Sequence, residues 1–168
     1  MLRKDLMVAL AGLALFMGGC DVGVRADASK AIEHFLTAVH EDDRTGFESA
    51  IDREALRRNL ADQLNDLARG KGVVVEGGPS EFALDRMITP QAFRMVEART
   101  GQVVNQAPNA AEIALILKVR DKNHVCVGDL RKADCTLSFA ERAGVWRLVG
   151  MQATDLKIEV PQVAKRKK

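Results

Sequence analysis

The pattern of apolar and polar positions divides the chain into stretches of different period. Leu6 to Met17 is apolar without interruption and follows a short basic start at Arg3 and Lys4. Further on, apolar residues recur at three-and-four spacing, first at Ala28, Ala31, Ile32, Phe35, Ala38 and Val39, then at Leu56, Leu60, Leu64 and Leu67. Such spacing lines one face of an α-helix. It predicts a helix from Asp27, as N-cap, to His40, a short helix holding Phe47 to Ala50 after the charged turn Glu41 to Arg44, and a longer one from Arg53 to Ala68. Asp52 caps that third helix, and Gly70 and Gly72 stop it. Pro79-Ser80 and Thr89-Pro90 read as two further helix starts, with Phe82 and Phe93 in the segments that follow.

Beyond the polar connection from Gly101 to Asn109 the period falls to two. Ile113, Leu115, Leu117 and Val119 alternate with Ala114, Ile116, Lys118 and Arg120, which predicts a strand, and Asp121 to Asn123 turns it into Val125 to Gly128. Cys135 to Glu141 and Val145 to Gln152 form a hairpin about Ala143-Gly144. Leu156, Ile158 and Val160 read as a last edge strand before Pro161. Helices first and a meander after them predict an α+β domain, its N-terminal helices packed on a curved antiparallel sheet of four to five strands.

As a helix, Leu6 to Met17 reaches about 18 Å, short of the roughly 30 Å hydrocarbon core, so it suits the apolar region of a secretory signal. Its end, Met17-Gly18-Gly19-Cys20, resembles the lipobox of bacterial lipoproteins. That resemblance implies cleavage between Gly19 and Cys20, acylation of Cys20, and a domain held on the bilayer facing the periplasm. Asp21 resembles the enterobacterial signal for inner-membrane retention; the outer membrane is the other destination. The organisation expected is a signal peptide over 1–19, a lipidated tether over 20–26, a single α+β domain over 27–161 and a disordered basic tail over 162–168.

Charge adds one exclusion. The formal charge is +2, from 25 basic and 23 acidic residues. Residues 1–19 hold Arg3, Lys4 and Asp5, so the remainder carries +1, and Lys165-Arg166-Lys167-Lys168 contributes +4 of that. The body is therefore net acidic at −3, which argues against nucleic acid as a partner. The tail either lies on anionic lipid, at about 1 kcal/mol per basic residue near the surface, or stays solvated.

Three cysteines are an odd number for an oxidising compartment. With Cys20 used by lipid, Cys126 and Cys135 remain as a pair. A ladder setting 126 against 135 puts 129 opposite 132 and Leu130-Arg131 at the turn, and residues directly opposed on antiparallel strands lie within disulfide range. A Cys126–Cys135 bridge is expected, two buried free thiols being the alternative.

Two further resemblances rest on longer stretches. Ile51-Asp52-Arg53-Glu54-Ala55-Leu56-Arg57-Arg58-Asn59-Leu60-Ala61-Asp62-Gln63-Leu64, together with Ser138 to Arg142 and Gly144 to Val149, is similar to a bacterial family of unknown function. The order of elements is similar to the cone-shaped fold of nuclear transport factor two and ketosteroid isomerase, which implies a bent sheet around an apolar pocket.

Chemistry is sparse. Isomerases of that fold commonly use a tyrosine as acid, and the chain has none. His34 and His40 project about 120° apart on a helix, and His40 with Asp43 lacks a third metal ligand. No serine sits in a G-x-S-x-G or S-x-x-K arrangement, and Gly70-Lys71-Gly72 lacks the spacing of a phosphate loop. Arg57 and Arg58 point about 100° apart, and Glu54 suits Arg58 as an i, i+4 partner. Phe35, Phe47, Phe93 and Trp146 either line an apolar cavity or form plain core. The sequence assigns no catalytic residue, cofactor or metal. It points to a membrane-anchored, non-enzymatic protein that binds a protein partner or an apolar ligand in the cell envelope. The alternatives are an enzyme with a cone-fold pocket and a structural subunit of an envelope complex.

Overall fold

A single helix, α1, runs 22 residues from Gly19 to His40. The structure, a computed structural model, describes residues 19–72, 77–97, 100–128, 135–153 and 157–160. The apolar segment expected as part of a signal peptide, the basic tail, Leu156 and the expected turn at Leu130-Arg131 lie outside the described residues.

Helix α1 takes in residues 20–26, and Asp27, expected as its N-cap, lies inside it and is exposed. Tertiary contacts account for the extension. The Arg25 guanidinium donates to the carbonyl oxygens of Ala114 and Leu117, each at 2.7 Å, and Val24 packs against the core. Further along, Ala28, Ile32, Phe35 and Leu36 are fully buried.

Asp43 caps the short helix α2, Arg44–Ser49, by accepting from the Thr45 amide at 3.0 Å, so this helix begins before the expected Phe47. Asp52 caps α3, Arg53–Gly70, through the Ala55 amide at 3.0 Å. Leu56 and Leu60 are buried, Leu64 is half-buried and Leu67 is exposed, so the leucine stripe leaves the core along its own length. Ser80 caps α4, Glu81–Met87, and Pro90 opens a 3-10 turn, Pro90–Ala92.

Strand β1, Arg94–Glu97, was not expected. It pairs in parallel with β6, Lys157–Val160, in a separate two-stranded sheet. The last strand therefore does not edge the meander.

The strand expected over 113–120 is half helix. Asn109 and Glu112 form a reciprocal capping box that starts α5, Ala110–Ile116, and only Leu117–Asp121 is strand, β2. The burial of Ile113, Ile116 and Leu117, with Leu115 outside, follows helical rather than alternating spacing.

Strands β2, β3 (His124–Val127), β4 (Leu137–Arg142) and β5 (Val145–Met151) form a four-stranded antiparallel sheet in that order. The chain is thus α+β, with its N-terminal helices against this sheet. Ala143 and Gly144 both take positive φ, at 53° and 80°, as the primed turn of a two-residue hairpin requires. Leu137 faces Met151 and Phe139 faces Leu148. Two partners of β5 set three residues apart thus oppose positions of β4 two apart, so Leu148 and Met151 both reach the core across a β-bulge.

Phe35 is the hub of that core. Its ring lies 5.7 Å from Phe47, 5.4 Å from Phe93 and 5.6 Å from Phe139, centroid to centroid. The three phenylalanines Phe35, Phe47 and Phe93 are therefore core, and Trp146 stands apart from them.

Helix α3 is fastened to the free edge of β5. The Asp52 amide donates to Leu148 O and the Leu148 amide to Ala50 O, both at 2.9 Å. One turn apart on α3, Asn59 Oδ1 accepts from the Met151 amide at 3.0 Å, while Gln63 donates to Met151 O at 2.7 Å and accepts from the Ala153 amide at 2.9 Å. Side-chain amides here serve as the next strand, covering an edge that would otherwise be open to pairing. Asp52, Asn59 and Gln63, prominent in the stretch that resembled a family, all have structural work.

Candidate functional site: a cleft along α1

The β4–β5 hairpin extends past the phenylalanine core, and its inward face continues there with Glu141 and Trp146, the cross-strand pair next to Phe139–Leu148 but one. Alternation along a ladder puts these two pairs on the same side of the sheet. Opposite stands α1, and between them runs a cleft of about 670 Å³.

Four residues of α1 form one wall: Val24, Asp27, Ala31 and His34. Their spacing of three, four and three keeps them in a single row on the helix. The other wall is the hairpin, with Glu141, Gly144, Val145 and Trp146; Ser49 and Ala50 close the cleft from α2, and Lys122 from the β2–β3 turn. Trp146 and Val24 pack partly against the core, so the apolar lining is continuous with it.

Several polar groups of the cleft have partners close by in the chain. His34 Nε2 lies 3.5 Å from Ser49 Oγ, but that hydroxyl donates to Gly46 O at 2.7 Å. Its proton is directed at a carbonyl, not at the imidazole, so the ring is not placed to activate it. Asp27 sits seven residues before His34 on the same helix, about 10 Å along the axis, too far to orient the ring. Glu141 accepts from the Gly144 amide within its own turn. Among the described residues no three His, Cys, Asp or Glu side chains gather as a metal site, His40 and Asp43 included.

Gly19 and Cys20 are the first residues of α1. Cys126 and Cys135 are bridged, with their Cα atoms 5.6 Å apart. The bridge does not join directly opposed residues as expected: Cys126 faces Ser138 and Val127 faces Leu137, so Cys135 lies in the segment just before β4. No helix among the described residues is long and apolar enough to cross a membrane.

Two charged groups lie elsewhere. Asp85 of α4 receives Arg57 Nε at 2.8 Å and Nη2 at 2.6 Å, and Arg53 Nη1 at 3.1 Å. Arg57 above all, and Arg53 with it, hold the Asp85 carboxyl below its ordinary range. This clamp ties α4 to α3. Arg58 pairs with Glu54 on the exposed face as the spacing predicted. In the β2–β3 turn the Asn123 amide, followed by His124, holds the Asp121 carboxyl low, which stabilises the turn beside Lys122.

No protein-family model, curated protein or solved structure matches the chain.

Proposed function

We propose that the chain is a bacterial lipoprotein, acylated at Cys20, whose domain faces the periplasm and binds a polypeptide segment of an envelope partner without chemical turnover. The carrying observation is the cleft, in which Trp146 and the small apolar residues Val24, Ala31, Ala50 and Val145 meet the carboxylates Asp27 and Glu141. Tryptophan anchored in a pocket with a polar rim is the composition of a binding hot spot. A segment carrying an apolar side chain for Trp146 and a basic one for Asp27 suits these walls. The lipobox resemblance at Met17 to Cys20 supports the anchor, and the Cys126–Cys135 bridge accords with an oxidising compartment.

The test is photo-cross-linking in intact cells, with p-benzoylphenylalanine placed at Ala31 in the cleft and, separately, at Asp62 on the exposed part of α3. A discrete protein adduct from position 31, absent from position 62 and lost in Trp146→Ala, is expected. Equal adducts from both positions, or an adduct at 31 indifferent to Trp146, would remove the cleft from the account.

A further inference from the structure

We propose that the N-terminal end of α1 and the surface around it form a docking pole that rests on the lipid bilayer and fixes the orientation of the domain. The proposal rests on the reading of Cys20 as the lipid anchor and adds to it a definite contact surface. Three exposed apolar side chains mark the pole. Val22 is 70% exposed, Leu115 62% and Val145 44%.

Leu115 and Val145 are each tied to the first turns of α1 through a neighbour. Arg25, three residues after Val22, donates to the carbonyls of Ala114 and Leu117 on either side of Leu115. Val24, two residues after Val22, and Val145 both line the cleft. Lys122, from the neighbouring turn, adds a cation suited to anionic headgroups. Asp27 stands one turn deeper on the cleft wall and is of the opposite sign, so apolar contact provides most of the attraction.

What makes the bilayer the occupant is the helix itself. Cys20 lies in the first turn of α1, and the two Arg25 bonds lock that helix to the body about 8 Å further along its axis. An acyl chain at Cys20 therefore has no flexible spacer between it and the domain. The far end of α1 is about 30 Å away, near where Asp42 accepts from Gln91. Docking at the near end leaves the cleft opening at the level of the headgroups, where it would meet segments emerging from the membrane.

Mass measurement of the N-terminal peptide from the membrane-isolated protein comes first, and an unmodified Cys20 would overturn the anchor reading itself. The acylated protein is then placed in vesicles of phosphatidylethanolamine and phosphatidylglycerol. An NBD fluorophore is attached in turn through Leu115→Cys, Val145→Cys and Gln91→Cys, and quenching by headgroup-proximal nitroxide lipid is read. At least twofold quenching at 115 and 145, with none at 91, is expected. Quenching at none of the three, or equally at all, would overturn the docking pole while leaving the anchor in place. All three positions are exposed, and unchanged far-UV circular dichroism confirms that the labelled proteins are folded.

Discussion

On α1, Ile32, Phe35 and Leu36 face the phenylalanine cluster and are fully buried, whereas Val24, Asp27, Ala31 and His34 line an open cleft about 100° away around the same helix. One face supplies apolar area for stability; the other combines small apolar residues with a carboxylate and an imidazole. Because a packed helix moves as a unit, the first face positions the second. A helix can thus hold a domain together with one face and line an open cleft with another.

The largest effect expected comes from breaking the core face. Phe35→Ala removes the ring shared by three aromatic neighbours and should destabilise the domain by about 3–5 kcal/mol, read from urea unfolding. The cleft-face change Ala31→Asp should cost about 1 kcal/mol, from lower helix propensity and the like charge of Asp27 one turn away. Comparable losses from both would mean that the cleft wall is really core. Replacing both bridge cysteines, Cys126→Ser with Cys135→Ser, removes a short closed loop and should cost about 2–3 kcal/mol, again by urea unfolding of the oxidised wild type against the variant.

Ser29 lies on the same helix, among its buried residues. It is the one charged or polar residue counted among the buried described residues, and its hydroxyl finds no partner there. Ser29→Ala should raise stability by about 1 kcal/mol, since the unsatisfied group is removed with little loss of volume. A lower midpoint would show that the hydroxyl is bonded in solution.

The smallest effect lies off α1. The Asp85 carboxyl is held low by Arg57 and Arg53, so its stabilisation is present above the ordinary aspartate pKa of about 3.9 and is lost as the pH falls through the depressed folded value. Asp85→Asn should lower the thermal midpoint slightly at pH 7, and the gap to wild type should close as the pH drops below about 4. A gap that persists in acid would assign the effect to packing.

Local signals made much of this fold legible. Asp52 before Arg53–Gly70 and Ser80 before Glu81–Met87 are caps readable from neighbours alone, and Ala143-Gly144 announces its hairpin. Two periods fit the same residues at Ile113, Leu115 and Leu117, which alternate like a strand, yet the Asn109–Glu112 capping box settles Ala110–Ile116 as helix. Pairings of long reach left no local trace. Four-residue β1 finds β6 across 63 positions, Arg94 to Lys157, and neither strand signals the other.

The cleft was illegible for the same reason, because its walls come from residues 24 and 146. One signal was present. Cys20, Val24, Asp27, Ala31 and His34 keep helical spacing, but Asp27 read as a cap hid the continuation of the helix toward the cysteine.

Anchor position, cleft wall and core face share one frame only if α1 is an unbroken helix from the cysteine to the core. Amide hydrogen exchange resolved to single residues tests this directly. Residues 24–27, clamped by Arg25, should exchange at least a hundredfold more slowly than an unstructured chain of the same sequence, an opening cost of about 3 kcal/mol. Exchange at unstructured rates up to Asp27, with protection beginning only at Ala28, would make the segment a loose tether and contradict the account.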